Sequence, residues 1–137
     1  MISATGRYAL RILGYLAGRQ GTWVQARQMA SDTGIPGNYL SKILNQLGKQ
    51  GIVSSRRGWG GGFTLRREGL DRPLAAVVEL FDGRRPDGEC LFGMERCDAA
   101  MPCPLHHWWE RARGSYDEML RTVRVRDLQP TPREARP

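Results

Sequence analysis

The chain has 137 residues, 40% of them hydrophobic, and a formal charge of +7, which suits one domain or a small domain with an appendage around an ordinary core. The N-terminal apolar stretch "YALRILGYLAG" is interrupted by Arg11 and Gly14 and followed by no small-residue cleavage site, which excludes a bilayer span and a secretory leader; the expectation is a cytoplasmic protein with no membrane partner. Residues 1–85 carry 13 Lys and Arg against 5 Asp and Glu, net +8, whereas residues 86–137 carry 8 against 9, net −1. A domain with that excess attracts polyanions, nucleic acid first among them.

In chain order, residues 3–18 are predicted as a helix, with Tyr8, Ile12, Tyr15 and Leu16 on one side and Arg7 and Arg11 on another. "TWV" forms a short extended lead-in to "QARQMASDTG", a second short helix stopped at Gly34, whose missing Cβ suits a left-handed cap. A third helix follows in "IPGNYLSKILNQLGKQG", with Pro36 in its first turn, Leu40, Ile43, Leu44 and Leu47 on its apolar face, and Gly51 at its end. Its other face carries Asn38, Ser41, Lys42, Asn45 and Lys49 at spacings of three and four, groups that can address base edges and phosphates. "IVSSRR" and "FTL" then pair as strands around "GWGGG", which puts Arg56 and Arg57 in reach of the DNA backbone or minor groove and Trp59 at the tip. Alone, such a stripe is a solvated helix face and such a hairpin a turn. Both are basic and adjacent here, so residues 1–82 read as a winged helix-turn-helix that binds DNA, in a fold that is mainly α with a small β-hairpin wing.

Next, "RREGLDRP" is a polar connector and "LAAVVELFDG" a short buried helix ended by Gly83. Residues 83–103 form a polar, glycine-containing loop, and a long helix is expected from Pro104 within a segment reaching residue 128. Leu105, Trp108, Trp109, Ala112, Tyr116, Met119 and Val123 recur there at threes and fours, an apolar seam longer than a small core needs, which calls for the helix of a second copy. Trp108 and Trp109 are read as packing residues, and Gly114 weakens the helix locally. The tail "QPTPREARP", 129–137, has three prolines and no apolar pattern and is expected to be disordered.

All three cysteines lie in "CLFGMERCDAAMPCPLH", spaced C-x6-C-x5-C-x2-H. An odd, clustered set in a reducing compartment argues against disulfides, and idle buried thiols normally interrupt apolar runs. Three thiols and an imidazole suit iron-sulfur or zinc; the close C-x(2–4)-C pairs of structural zinc sites are absent, and wide gaps point to a loop draped around a larger cofactor. His107 competes with His106, but neighbours on a helix point about 100° apart, so one alone can reach a metal. A cysteine nucleophile would need an orienting group and a substrate pocket, neither of which is legible, so the chain is not read as an enzyme.

"GRYALRIL", "MASDTGIPGNYLSKILNQL" and "GIVSSRRGWGGGFTL", in that order, resemble the IscR/NsrR-type winged-helix transcription regulators, the Rrf-two family, and the resemblance runs to about Leu128. It implies a homodimeric regulator, joined by a long C-terminal helix, that binds double-stranded DNA at a palindromic operator and senses redox, nitric oxide or iron-sulfur status. It carries Cys90, Cys97 and Cys103 over as cluster ligands, with His106 as the fourth by similarity to the iron-sulfur-biogenesis branch. The implied cofactor is a [2Fe–2S] cluster ahead of [4Fe–4S], with zinc the alternative. The nitric-oxide branch uses an acidic residue near the N-terminus of the partner chain, where this sequence has Tyr8. Two departures stand out: the first cysteine gap is one residue longer than in the family, and Trp59 takes a place where those regulators commonly show proline.

Overall fold

The computed structural model describes residues 2–129; the expected tail falls, from residue 130 onward, outside the described residues. Helix α1, Ala4–Ala17, is the spine. Ser3 caps it by accepting the Gly6 amide at 3.0 Å, and the Ser3 amide in turn donates to Asp82 at 2.9 Å. Ala9, Ile12, Leu13 and Leu16 turn inward while Arg7 and Arg11 stay exposed.

Helix α2, Ala26–Thr33, ends as expected at Gly34, whose φ of 72° is left-handed. Two polar ties hold it to α1: Tyr15 donates its hydroxyl to Asp32 at 2.5 Å, and Arg11 donates to the Thr33 carbonyl at 2.5 Å. Burial and the Asp32 bond push the Tyr15 phenol up to about 12, and the same bond lowers Asp32. The Tyr15–Asp32 tie therefore persists at neutral pH. Helix α3, Gly37–Lys49, buries Leu40, Ile43, Leu44 and Leu47, the predicted apolar face. Pro36 sits one residue before the helix rather than inside it.

Strands β1, Val53–Arg56, and β2, Gly62–Leu65, form an antiparallel hairpin in the register Val53↔Leu65 to Arg56↔Gly62. Val24 extends its edge, exchanging two backbone hydrogen bonds with Phe63 at 2.9 and 2.8 Å. The connector is less polar than its sequence suggests. It contains a one-turn helix, α4, Arg67–Leu70, with Gly69 and Leu70 buried, because Gly69 lets its backbone lie against Ile52 and Leu65.

Helix α5, Leu74–Asp82, sends Val77 into the main core. Leu74 and Val78 instead meet Leu120 in a second, smaller core. No regular element occurs between α5 and α6, His106–Thr122, which begins two residues after Pro104. After α6 the chain turns extended and pairs back on the connector: the Leu74 amide donates to Val123 at 3.0 Å and the Val125 amide to Arg72 at 3.0 Å. A 3-10 turn, Val125–Leu128, then closes under α1, with Val125 fully buried. The last described residues thus belong to the core that also seats the helix-turn-helix.

Gly14 makes that closure possible. A Cβ there would stand 2.6 Å from the Leu128 carbonyl oxygen, whereas one at Gly114, inside α6, would meet nothing within 4 Å. Gly14→Ala should therefore cost about 1–3 kcal/mol of unfolding free energy by overpacking, and Gly114→Ala should add about 0.5–1 kcal/mol by helix propensity. Denaturant unfolding of the two variants, measured side by side, checks both signs.

Candidate nucleic-acid interface and metal centre

The packing of α3 decides which groups it offers. With its four apolar side chains inward, Asn38, Ser41, Lys42, Asn45 and Lys49 are all exposed. Between α3 and the hairpin runs an open groove of about 730 Å³. Ser41, Asn45 and Lys49 line it from the helix, and Arg56, Arg57 and Arg66 from the hairpin side. No carboxylate lines it, so every charged group on its lining is cationic, which suits a phosphate backbone. Arg66 escaped the reading of the sequence because it follows the strand directly and its placement depends on the hairpin register. Arg56 is already engaged: it donates to the Gly60 carbonyl at 2.9 Å and its guanidinium lies over the Trp23 ring at 4.4 Å. Trp59 at the tip is fully exposed.

The thiols converge in the loop before α6. Cys90, Cys97 and Cys103 present Sγ atoms that all lie within 4.8 Å of one another, with Cys90 and Cys103, 13 residues apart, at 3.7 Å. Asp98 folds the middle of the loop by accepting the Ala100 and Met101 amides at 2.9 Å each, and the Cys103 amide points at Cys97 Sγ at 3.4 Å. His106, first residue of α6 and 6% exposed, brings Nδ1 to 3.3 Å from Cys97 Sγ. His107 is exposed, its ring edge-on to that of His106. The His106 Nε2 is buried without a hydrogen bond, and Glu110, one helical turn on, has a carboxylate oxygen 3.5 Å away. That i to i+4 spacing was readable in the sequence, and its relevance emerges only once the imidazole is buried.

Protein groups also anchor the loop to α6. Trp109 donates its indole N–H to the Glu89 carbonyl at 2.8 Å. Arg85 pairs with Asp117 and lies over the rings of Trp109 and Tyr116 at 5.9 and 5.1 Å. Backbone amides, that of Met94 foremost, lower the Cys90 thiol to about 7. For Cys97 the Cys103 amide favours the thiolate, but burial and the neighbouring Cys103 and Cys90 thiols outweigh it and raise the thiol.

The expected seam divides. Tyr116 and Val123 pack on α5 around Leu120, a residue outside the predicted set, and Trp109 is half-buried over the loop. Leu105, Trp108, Ala112 and Met119 remain exposed, Trp108 by 68%. Tyr8, the position of the acidic residue in the nitric-oxide branch, is half-buried against Tyr39, with ring centroids 6.1 Å apart.

A winged helix-turn-helix with a cationic trough beside α3 and a separate thiol cluster matches, over residues 2–131, the family model described as Rrf2, iron-dependent transcriptional regulator. The chain belongs to the Rrf2 (Rrf-two) family. It is similar to a helix-turn-helix-type transcriptional regulator of Aquifex aeolicus, 32% identical over 93% of this chain and 90% of that one. The regulator NsrR of Bacillus subtilis is 32% identical over 88% of this chain and 84% of its own. Among solved structures, a transcriptional regulator from Listeria innocua superposes with a TM-score of 0.74 at 29% identity, covering 93% of this chain and 85% of that one. The chain is accordingly a DNA-binding transcription regulator of this family and not an enzyme. Among the described residues no helix is long and apolar enough to cross a membrane.

The unequal thiols have a measurable consequence. In metal-free protein at pH 7, Cys90 should be about half thiolate and Cys97 almost wholly thiol. Iodoacetamide should therefore label Cys90 first, and as the pH rises from 6 to 8 the Cys90 rate should level off while the Cys97 rate, slower throughout, should keep climbing with pH. Peptide mass spectrometry over a time course reads the order; equal rates at the two sites contradict it.

Proposed function

We propose that this Rrf2-family regulator is a homodimer whose binding to a palindromic operator responds to an iron-sulfur cluster held by Cys90, Cys97, Cys103 and His106. The observation that carries the reading is the convergence of three thiols from a loop without regular structure, one of which, Cys97, meets a buried imidazole at the start of α6. The donor set fits: three soft sulfurs and one nitrogen, with the second nitrogen of that ring facing a carboxylate as metal-bound histidines commonly do. When bound, such a cluster supplies iron that responds to redox state, nitric oxide and iron supply. The protein's own part is mechanical. Cys90, Cys97 and Cys103 tie the loop, and His106 joins that tie to α6. The likeness to NsrR supports the same reading.

One observation also fits a second reading, a structural zinc ion. Sulfurs on a tetrahedral ion with bonds of roughly 2.3 Å lie about 3.8 Å apart, close to the 3.7 Å between Cys90 and Cys103. Absorbance of anaerobically purified protein, with iron and zinc quantified, separates the two: visible bands with iron support the cluster, and a colourless protein with one zinc per chain replaces it. Cys97→Ala should lose the visible bands while staying folded. His106→Ala should lose them faster in air than the parent, and His107→Ala should match the parent.

For DNA, α3 of each subunit would enter successive major grooves, with Asn38, Ser41, Lys42 and Asn45 at base edges or phosphates and Lys49 and Arg57 at the backbone. Lys42→Ala should lower the slope of log affinity against log salt by about 1 if it neutralises one phosphate; an unchanged slope removes it from the contact set.

Assembly would use Leu105, Trp108, Ala112 and Met119, the seam residues left exposed. Deleting the chain from Pro104 cannot test this, because it would also remove Leu120 and Val125 from the two cores. A double Trp108→Glu, Met119→Glu variant keeps both cores and should sediment as a monomer at micromolar concentration with operator affinity reduced at least tenfold. A dimeric double variant would move the interface elsewhere.

A further inference from the structure

We propose that Trp59 is a wedge at the tip of the wing that contacts a base step in the minor groove, and that Arg56 positions it without touching DNA. The inference rests on the DNA reading of the α3 and wing surface, to which the sequence assigns Trp59, and specifies how that residue would meet the duplex.

Trp59 is fully exposed, while the other large exposed apolar side chains fall mainly on the cysteine loop and α6. Its setting is stiff. The Gly61 amide donates to the Gly58 carbonyl at 3.0 Å. A Cβ on Gly61 would stand 2.2 Å from the Arg56 carbonyl, and one on Gly62 would stand 2.4 Å from that of Val24. Glycines at these two positions therefore let the hairpin fold tightly against its own strand and against the Val24 edge. Arg56 completes the brace, donating to Gly60 while stacked on Trp23. One of its N–H donors and one face of its guanidinium are thus engaged by Gly60 and Trp23, while the residue also borders the groove. Arg57, the next residue, makes no side-chain hydrogen bond or ion pair among the described residues and lines the cationic groove.

The two neighbours therefore divide the work that the sequence assigned to both. Arg57, with Lys49 and Arg66, addresses a phosphate strand in a groove that holds no carboxylate. An indole two residues further along has no charge to give that strand, and its large flat face is of the kind that inserts at base steps and kinks the duplex. A membrane surface would need several apolar groups beside the cations, and the tip has one. The wedge also predicts a sequence preference outside the major-groove half-sites, for easily unstacked pyrimidine–purine steps such as TA or CA.

The test uses full-length protein purified anaerobically and two duplexes: one selected by that protein from a randomised library, the other of unrelated sequence. In the selected duplex, 2-aminopurine replaces an adenine at the flanking step. Trp59→Ala should bind the selected duplex about tenfold more weakly, bind the unrelated one within twofold of the parent, keep the salt slope, and abolish the rise in 2-aminopurine fluorescence; Trp59→Phe should retain most of both. Arg56→Ala should lose the fluorescence rise with an unchanged salt slope, whereas Arg57→Ala should lower that slope by about 1. The proposal is overturned if Trp59→Ala matches the parent in selectivity and fluorescence, or if its loss is equal on both duplexes. An Arg56→Ala slope reduced like that of Arg57→Ala overturns the positioning role. A parent protein that selects no duplex overturns the DNA reading beneath the proposal and the proposal with it.

Discussion

The close approach of the C-terminal 3-10 turn to α1 is the constraint on which the other parts depend. Gly14 lets the Leu128 carbonyl come against the helix, and Val125 is buried in the same core as Leu13, Leu40 and Leu44. That contact determines where α6 ends. The backbone pairing of Val123 and Val125 with the segment before α5, and the small core of Leu74, Val78 and Leu120, hold the helix along α5. The C-terminal end of α6 is thereby rigid with the reading head. Its N-terminal end is not held in this way. It carries His106 and is tied to the cysteine loop by Trp109 and Arg85.

Much of this was legible in the sequence where one period governs burial. In α3 the apolar and polar stripes separate as expected because the helix lies flat on the core and nothing else competes for its outer face. The cysteines were legible for a different reason: soft ligands gathered in a polar loop have few other uses. The seam of α6 was only partly legible. Two surfaces share that helix, α5 along one side and an unpaired face along the other, so one apolar stripe in the sequence becomes two directions in space, and Leu120 belongs to the first. Arg56 and Arg57 could not be told apart either. Adjacent strand residues alternate in direction, and which one meets Trp23 depends on the hairpin register and on the Val24 edge, neither of which has a local signature. Likewise Gly69 and Leu70 are buried in a stretch whose charges dominate its composition, because Gly69 lets the backbone lie against Ile52 while Leu70 turns into the main core.

Among the described residues, the imidazole of His106 carries a buried side-chain nitrogen without a hydrogen bond. A buried polar atom with no hydrogen bond is costly, and the orphan here is Nε2, with the other ring nitrogen against a thiol. Glu110 is close enough to complete it after a shift of a few tenths of an ångström. On the proposed reading, binding through Nδ1 would leave the proton on Nε2 and turn it toward that carboxylate, so that an occupied site satisfies both ring nitrogens at once. The same logic explains why the loop gathers at the start of α6 rather than elsewhere: one residue belongs to both the ligand set and the helix.

The consequence for regulation follows from leverage. A rigid C-terminal end of α6, docked on the reading head, and a conditional N-terminal end, docked on the cysteine loop, make the helix a strut whose exposed face, Leu105 to Met119, would meet its counterpart in a dimer. Two reading helices must match half-sites about 34 Å apart, so a change at the first turn of the strut need only alter their separation or angle slightly to be felt. Coupling between distant sites is typically worth about 1–3 kcal/mol, or roughly 5- to 150-fold in affinity. A change of that size requires no unfolding of the winged helix, whose core lies at the other end of the strut and includes the turn beneath Gly14. On the proposed reading, the thiols would sit where their occupancy biases DNA binding while leaving the stability of the reading head almost untouched.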